Sequence, residues 1–309
     1  MSERIGAVSS TTWRIQLRSS GKDPDRFCFD KGVMGIGWSV GDLNQGHDWN
    51  DYLLLAQKAH GGQRSWRDAI GALKQISVDD LVWARRSDGV YFLGRVTGGW
   101  EYRSDPAARS ADIVNIRRCD WVRIGTVSEV PGKVVSSFIP PKTLQRVTGA
   151  EVSIYSQFRY NEAARGFKYP LSSPSNDIFE LLSAEDCEDL VGIYLQGKGY
   201  VLIPSSCKAD TLAYEYELRN TKTGQRAVAQ VKRGTRDFLD THTLAEAADE
   251  VFLFSTAEQY RGGPKANVHC LSRSELEEFM SAHPDVLPDR IRTWVRIRDA
   301  LASPSSGRT

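Results

Sequence analysis

Seven of the eight tryptophans, Trp13, Trp38, Trp49, Trp66, Trp83, Trp100 and Trp121, lie before residue 122, and only Trp294 follows. A distribution this lopsided predicts two folding units of different chemistry rather than one shared core. The length agrees, because 309 residues exceed a single domain of about 100–200 residues. The charge divides the same way. Across the chain 40 Lys+Arg oppose 39 Asp+Glu, a net +1, which excludes a uniformly cationic coat and a charged disordered tail. By halves, residues 1–150 carry a net +5 and residues 151–309 a net −4.

Hydrophobic residues at 40% and charged residues at 26% fit a globular chain with a real core. No run of 18 apolar residues occurs, so no transmembrane helix and no membrane partner are expected. The opening MSERIGAVSSTTWRIQLRSS lacks an apolar stretch, so it does not read as a secretory signal. The five cysteines are dispersed without a C-x-x-C pair, as expected of reduced thiols in the cytoplasm. No two histidines form H-x-x-x-H, so no zinc site is expected.

The halves meet in a punctuated stretch. Pro140-Pro141 forbids a helix or sheet interior there, and YPLSSPSND, from Tyr169 to Asp177, reads as a linker. Leu144 to Tyr160 reads as a short helix after Thr143. The division is therefore a first domain over 1–145, a linker with a short helix over 146–175, and a second domain over 176–309.

In the first domain DLVWARRS alternates apolar with polar, Asp88-Gly89 makes a hairpin turn, and VYFLGRVTGGWEYR returns. Ahead of it SWRDAIGALKQI places Trp66, Ile70 and Leu73 on one helical face, with Ser65 as N-cap. The Gly-rich KGVMGIGWSVGDL holds a G-x-G at Gly35 and Gly37. It lacks the third glycine and following helix of a dinucleotide fingerprint. The expected architecture is a small mixed β-barrel with a helix or two.

This order, a starting strand with Trp13, MGIGWSVGDL, a helix, an entry from Ile76 to Val82, YFLGRVTGGWEY and a closing CDWVRIG, resembles the PUA-superfamily barrels, especially the EVE-like modules of restriction proteins. The resemblance covers residues 10–125 and implies a pocket for a flipped or modified base. Trp38, Trp100 and Tyr102 follow Gly-rich turns that admit a ligand, and are the base-binding candidates. A stacked aromatic face contributes about 1–3 kcal/mol, against a few kcal/mol for unstacking the base. Trp13, Trp83 and Trp121 sit inside strand patterns and read as core. Arg85, Arg86, Arg117, Arg118 and Arg123 read either as phosphate contacts or as solvated strand faces.

In the second domain a helix starts at Ser183 as N-cap, turns Leu190, Ile193 and Tyr194 to one face, and stops at Gly197 and Gly199. YVLIPSS is a short strand. LAYEYELRN and RAVAQVKRG are alternating strands joined by TKTGQ, a hairpin. EVFLFST suits a strand buried on both faces. NVHCLS and the helix SRSELEEFM complete an α-β-β-β-α-β-α order.

That order, with Glu188 on the first helix and Gln230-Val231-Lys232 on the third strand, resembles the PD-(D/E)XK nucleases, most closely the Mrr-like restriction endonucleases, over residues 177–285. The fold it implies is a restriction-endonuclease-like α/β domain with a central mixed sheet, so the chain combines α+β and α/β units. The chemistry implied is phosphodiester hydrolysis with Mg2+ held by carboxylates and an amide oxygen. Gln230 and Lys232, two apart on a strand, share a face. Gln230 would be a neutral oxygen ligand, and Lys232 would stabilise the phosphate or activate water. If the hairpin closes around Lys222-Thr223, Asn220 faces Gln225 and Glu215 faces Gln230, which makes Glu215 the leading metal carboxylate. The family places an Asp at the start of that strand. Asp210, five residues earlier, is the other metal candidate, favoured by a bulge or a shorter strand, and Glu217 is a third option on the same face. For an isolated hairpin the blander reading is a polar face in which Arg226 and Lys232 neutralise Glu215 and Glu217, and Glu188 would then be a solvated helix residue.

The tail LPDRIRTWVRIRDAL reads as an amphipathic helix with Arg290, Arg292, Arg296 and Arg298 turned to solvent, DNA backbone or a second subunit. The combined expectation is a Mg2+-dependent endodeoxyribonuclease of restriction-modification and antiphage-defence type. Its partner would be double-stranded DNA, with a modified or flipped base, and cutting both strands implies a homodimer. The alternative is a catalytically inactive defence protein that binds DNA, RNA or a partner.

Overall fold

A computed structural model describes residues 10–18, 22–41, 43, 48–173, 175–207, 214–234 and 238–302. The chain divides into two compact units, Met1–Ser173 and Pro174–Thr309.

The first unit runs β1 (Thr12–Ile15), α1 (Pro24–Lys31), β2 (Val33–Ile36), α2 (Trp49–His60), α3 (Arg64–Gln75), β3 (Leu81–Arg85), β4 (Tyr91–Tyr102), α4 (Pro106–Ala111), β5 (Asn115–Gly125), α5 (Gly132–Ser137), β6 (Leu144–Arg146) and α6 (Ala150–Ala163). Its six strands form one mixed sheet in the order β2-β5-β4-β3-β1-β6, with β1 and β3 parallel. The expected closed barrel does not form among the described residues: β2 and β6 remain edges. The predicted hairpin is present, with Arg85 opposite Tyr91 and Gly89 at a positive φ of 84° that glycine adopts without strain. The pairing of β4 with β5 shifts between Val96 and Trp100, a bulge at the Gly98-Gly99 pair that re-aims the end of the strand.

The alternation expected in DLVWARRS gives way to burial on both faces. Val82 and Ala84 join Trp13, Ile15, Met34, Tyr52 and Leu73 on the side of α2 and α3. Leu81 and Trp83 join Tyr91, Leu93, Val134, Val152 and Tyr160 on the side of α5 and α6. The stretch 144–160 is not one helix, because Leu144–Arg146 pairs antiparallel with β1. The helix that follows, α6, belongs to the first unit rather than to a linker: Ser156 Oγ accepts the indole N–H of the fully buried Trp83 at 2.9 Å. Helix α3 buries Trp66, Ile70 and Leu73 as expected, but begins two residues upstream of a Ser65 cap, with Gln63 at its N-cap.

The second unit contains α7 (Ile178–Leu181), α8 (Ala184–Gly197), β7 (Tyr200–Leu202), β8 (Tyr216–Asn220), β9 (Arg226–Lys232), β10 (Leu239–Asp240), α9 (Thr241–Leu244), β11 (Glu250–Ser255), β12 (Tyr260–Arg261), β13 (Val268–Leu271), α10 (Arg273–Ala282) and α11 (Asp289–Ala302). Five strands form a mixed sheet, β13-β11-β9-β8-β7, with β9, β11 and β13 parallel and β7, β8 and β9 antiparallel. Strands β10 and β12 pair separately, in parallel. β11 is buried on both sides from Val251 to Ser255. α11 buries Ile291, Trp294 and Ile297, but Arg290 turns inward, pairing with Asp186 and, at 3.1 Å, with Asp189. The buried Asp186 carboxylate needs a counter-charge, and this overrides the expected solvent-facing position.

Candidate functional site

Helix α8 starts where the sequence stops it from starting earlier. Ser183 and Asp186 form a reciprocal capping box that satisfies the first free N–H groups. One turn on, Glu188 projects beside the sheet. Its position is tied to β8 by Tyr216, whose hydroxyl donates to the Glu188 carbonyl at 3.1 Å. Gly192 leaves room for that ring, since a Cβ there would stand 3.3 Å from Tyr216 Oη.

The register of β8 against β9, Tyr216 opposite Ala229 and Glu217 opposite Val228, carries one step further. Glu215 N–H donates to the Ala229 carbonyl at 2.9 Å, and the Gln230 amide donates through Nε2 to Glu215 Oε1 at 2.7 Å. Lys232 lies two residues on, on the face of Gln230. Glu217 is engaged otherwise, with Arg226 at 2.8 Å and Arg219 at 3.2 Å. The polar-face reading therefore describes Glu217, not Glu215.

Burial first, and then the nearby Glu215 charge, push the Glu188 carboxyl up to about 7, with Lys232 opposing both. Glu188 and Glu215 border one cavity of about 310 Å³, together with Gly192, Leu202, Cys207 and Tyr216. Asp210 and Asp237 lie outside the described residues. His269 stacks on Phe252 with ring centroids 5.0 Å apart, and Asp240 caps α9, so neither joins this site.

A carboxylate and an amide are hard oxygen donors of the kind Mg2+ takes, and the Glu215 charge that adds to burial in raising Glu188 is one that a divalent cation would offset. Gln230 would present its oxygen in place of the NH2 now turned to Glu215, a reversal of a nearly isosteric group. Among the described residues no group of three His, Cys, Asp or Glu side chains is arranged to hold a metal.

The first unit holds a second concave site of about 390 Å³, bordered by Gln16, Trp38, His60, Asp112 and Thr143 over the backbone of Gly37. Trp38 adopts a positive φ of 73°, a strained conformation for a bulky residue that persists where the surroundings impose it. Here they do. The Trp38 carbonyl accepts from Tyr52 Oη at 3.0 Å, the Gly37 carbonyl from Asn115 Nδ2 at 2.6 Å, and the Ser39 carbonyl from His60 Nε2 at 2.8 Å. The imidazole stands edge-on to the indole, with centroids 5.6 Å apart at 69°.

Trp100 and Tyr102 do not line this cavity. Trp100 donates to Asn115 Oδ1 at 3.1 Å and meets Trp49 edge-on. Tyr102 Oη accepts from Val40 N–H at 3.0 Å and donates to the Gly41 carbonyl at 2.9 Å. Both therefore brace the segment that carries Trp38. His60, Asp112, Tyr52 and Asn115 escape sequence reasoning, because no periodicity links positions this far apart. Of the five arginines considered for phosphate, Arg117 is buried against the Leu73 carbonyl, Arg86 pairs with Asp88, Arg118 pairs with Glu101, and Arg85 lies over the Phe138 ring. Arg123 is exposed.

A protein family described as a domain of unknown function (DUF8426) matches residues 13–146. The matched span opens in β1 and closes on the last residue of β6, so it coincides with the six-stranded sheet. No curated protein matches the chain. Among the described residues no helix is long and apolar enough to cross a membrane.

Proposed function

We propose that this protein is a Mg2+-dependent DNA endonuclease of restriction or antiphage type. In this reading the first unit is an EVE-like base reader and the second a PD-(D/E)XK, Mrr-like nuclease acting as a homodimer. One observation carries the reading: Glu215 meets Gln230 across the hairpin, Lys232 follows on the same face, and Glu188 stands close enough for Glu215 to raise its carboxyl. Glu215, Gln230 and, from outside the described residues, Asp210 would hold Mg2+, which when bound polarises the scissile phosphate and acidifies water.

The chain's own residues do the rest. Lys232 places a cation beside the phosphate, where negative charge grows in the transition state. Glu188, with its carboxyl near 7, is matched to accept a proton from the attacking water near neutral pH. In the first unit the Trp38 face would stack on an extruded base. The net +5 of residues 1–150 supports phosphate contact by that half.

Plasmid cleavage with Mg2+ tests the reading, with Glu215→Ala and Lys232→Ala beside the wild type. Loss of cleavage in both variants is expected. Equal cleavage by wild type and variants would overturn the assignment of the site. A second reading, a catalytically inactive nucleic-acid or partner-binding protein, is favoured by Gln230 turning its amide NH2, not its oxygen, to Glu215. Absence of cleavage by the wild type on every modified substrate would select it.

A further inference from the structure

We propose that Asp112 makes the Trp38 cavity selective for a base bearing an exocyclic amine over one whose exocyclic groups are carbonyl oxygens. The inference rests on the first unit being a base reader and specifies which bases it admits.

Three features converge. Trp38 offers a flat aromatic wall, held in place by Asn115, Tyr52 and His60 through the carbonyls of Gly37, Trp38 and Ser39 respectively, so it is organised before any ligand enters. Asp112 follows α4 with a positive φ of 56°, and its Oδ1 would lie 2.7 Å from a Cβ on Gly37. The absence of a side chain at Gly37, next to Trp38, is therefore what opens the carboxylate to the cavity. The neighbouring lining groups Gln16, Ser39, Gln63 and Thr143 either donate or accept hydrogen bonds and discriminate little. Asp112 is different, because a carboxylate only accepts. Among the described residues its ion-pair partner is Lys22, 3.9 Å away, which is not among the residues that border this cavity, so the carboxylate is not closed off by that pair. Arg18, at the exposed rim, only donates, and suits the ring nitrogen or carbonyl beside an amine.

A cytosine-type base pairs its N4 amine with such a carboxylate. A uracil- or thymine-type base presents a single ring N–H flanked by two carbonyl oxygens, which a carboxylate repels. The two classes differ by one exocyclic group, so they separate hydrogen-bond readout from stacking on Trp38.

The test uses the full chain in EDTA and two labelled single-stranded oligonucleotides that differ only in carrying one 5-hydroxymethylcytosine or one 5-hydroxymethyluracil. Single strands remove the different costs of unpairing. Fluorescence anisotropy should give tighter binding to the cytosine strand by about tenfold, within the range of one good base contact. Asp112→Asn, whose amide both donates and accepts and which tolerates the left-handed backbone, should bring the two affinities within about twofold at unchanged melting temperature. Trp38→Ala should weaken both strands. Equal affinity of the wild type for the two strands, or an unchanged preference in Asp112→Asn, would overturn the inference while leaving the base-reader reading intact. If the wild type binds neither strand, the base-reader reading falls and the inference falls with it.

Discussion

Gln230 Nε2 lies 2.7 Å from Glu215 Oε1 across the β8–β9 hairpin, and this contact couples the strand that carries Lys232 to the carboxylate that faces Glu188. Because Glu215 raises the Glu188 carboxyl and Lys232 lowers it, the two neighbours should have opposite effects when removed. Glu215→Gln should bring the Glu188 titration down from about 7, and Lys232→Ala should move it up. Carbon-detected NMR of the glutamate carboxyls against pH measures both; shifts in the same direction would contradict the arrangement.

The same carboxyl makes stability fall with rising pH. Glu188 goes from an ordinary 4.5 to about 7 in the folded protein, so the folded state holds its proton more tightly than the unfolded state. The stabilisation is fully present below 4.5 and is lost as pH climbs from there through about 7. Glu188→Gln, a mimic of the protonated form, should therefore melt higher than wild type at alkaline pH, and the gap should close in acid. Scanning calorimetry in EDTA measures it.

Arg290 is the partner of Asp186, whose side chain is only 2% exposed. Arg290→Ala should cost about 3–5 kcal/mol in urea unfolding, because it leaves a buried charge uncompensated. Arg292→Ala, whose pair with Asp289 is exposed on both sides, should cost less than about 1 kcal/mol.

Helix α6 should be indispensable to the first unit. Ser156→Ala leaves the buried Trp83 N–H without its acceptor, at about 1–3 kcal/mol. A chain ending at Ser173 should keep blue-shifted tryptophan emission, whereas one ending at Val147 should expose Trp83 and Leu93 and unfold.

Local patterns account for what was legible beforehand. The hairpin register follows from the turn: once TKTGQ closes the loop with Asn220 N–H on the Gln225 carbonyl, the period of two places Glu215 opposite Gln230. The Ser183 cap and the Trp66–Ile70–Leu73 face are equally local. The division between the units falls after Ser173, inside the Pro/Ser-rich stretch from Tyr169 to Asp177, but placing α6 in the linker weighed prolines and serines and not what covers a sheet. Trp83 and Val82 need apolar partners on opposite faces, and only the folded chain shows that α6 supplies one of them.

By itself the sequence determined two chemically distinct units, the strands and their pairing within each hairpin, and the alignment of Glu215, Gln230 and Lys232, since backbone periodicity and turn closure act over a few residues. Tertiary structure decided the rest. It chose Trp38 over Trp100 and Tyr102 as the aromatic at the cavity, brought His60 and Asp112 to it, turned Arg290 inward and raised the Glu188 carboxyl. Each of these depends on distances through space between residues far apart in the chain, and on the water their packing excludes, neither of which leaves a trace in local spacing.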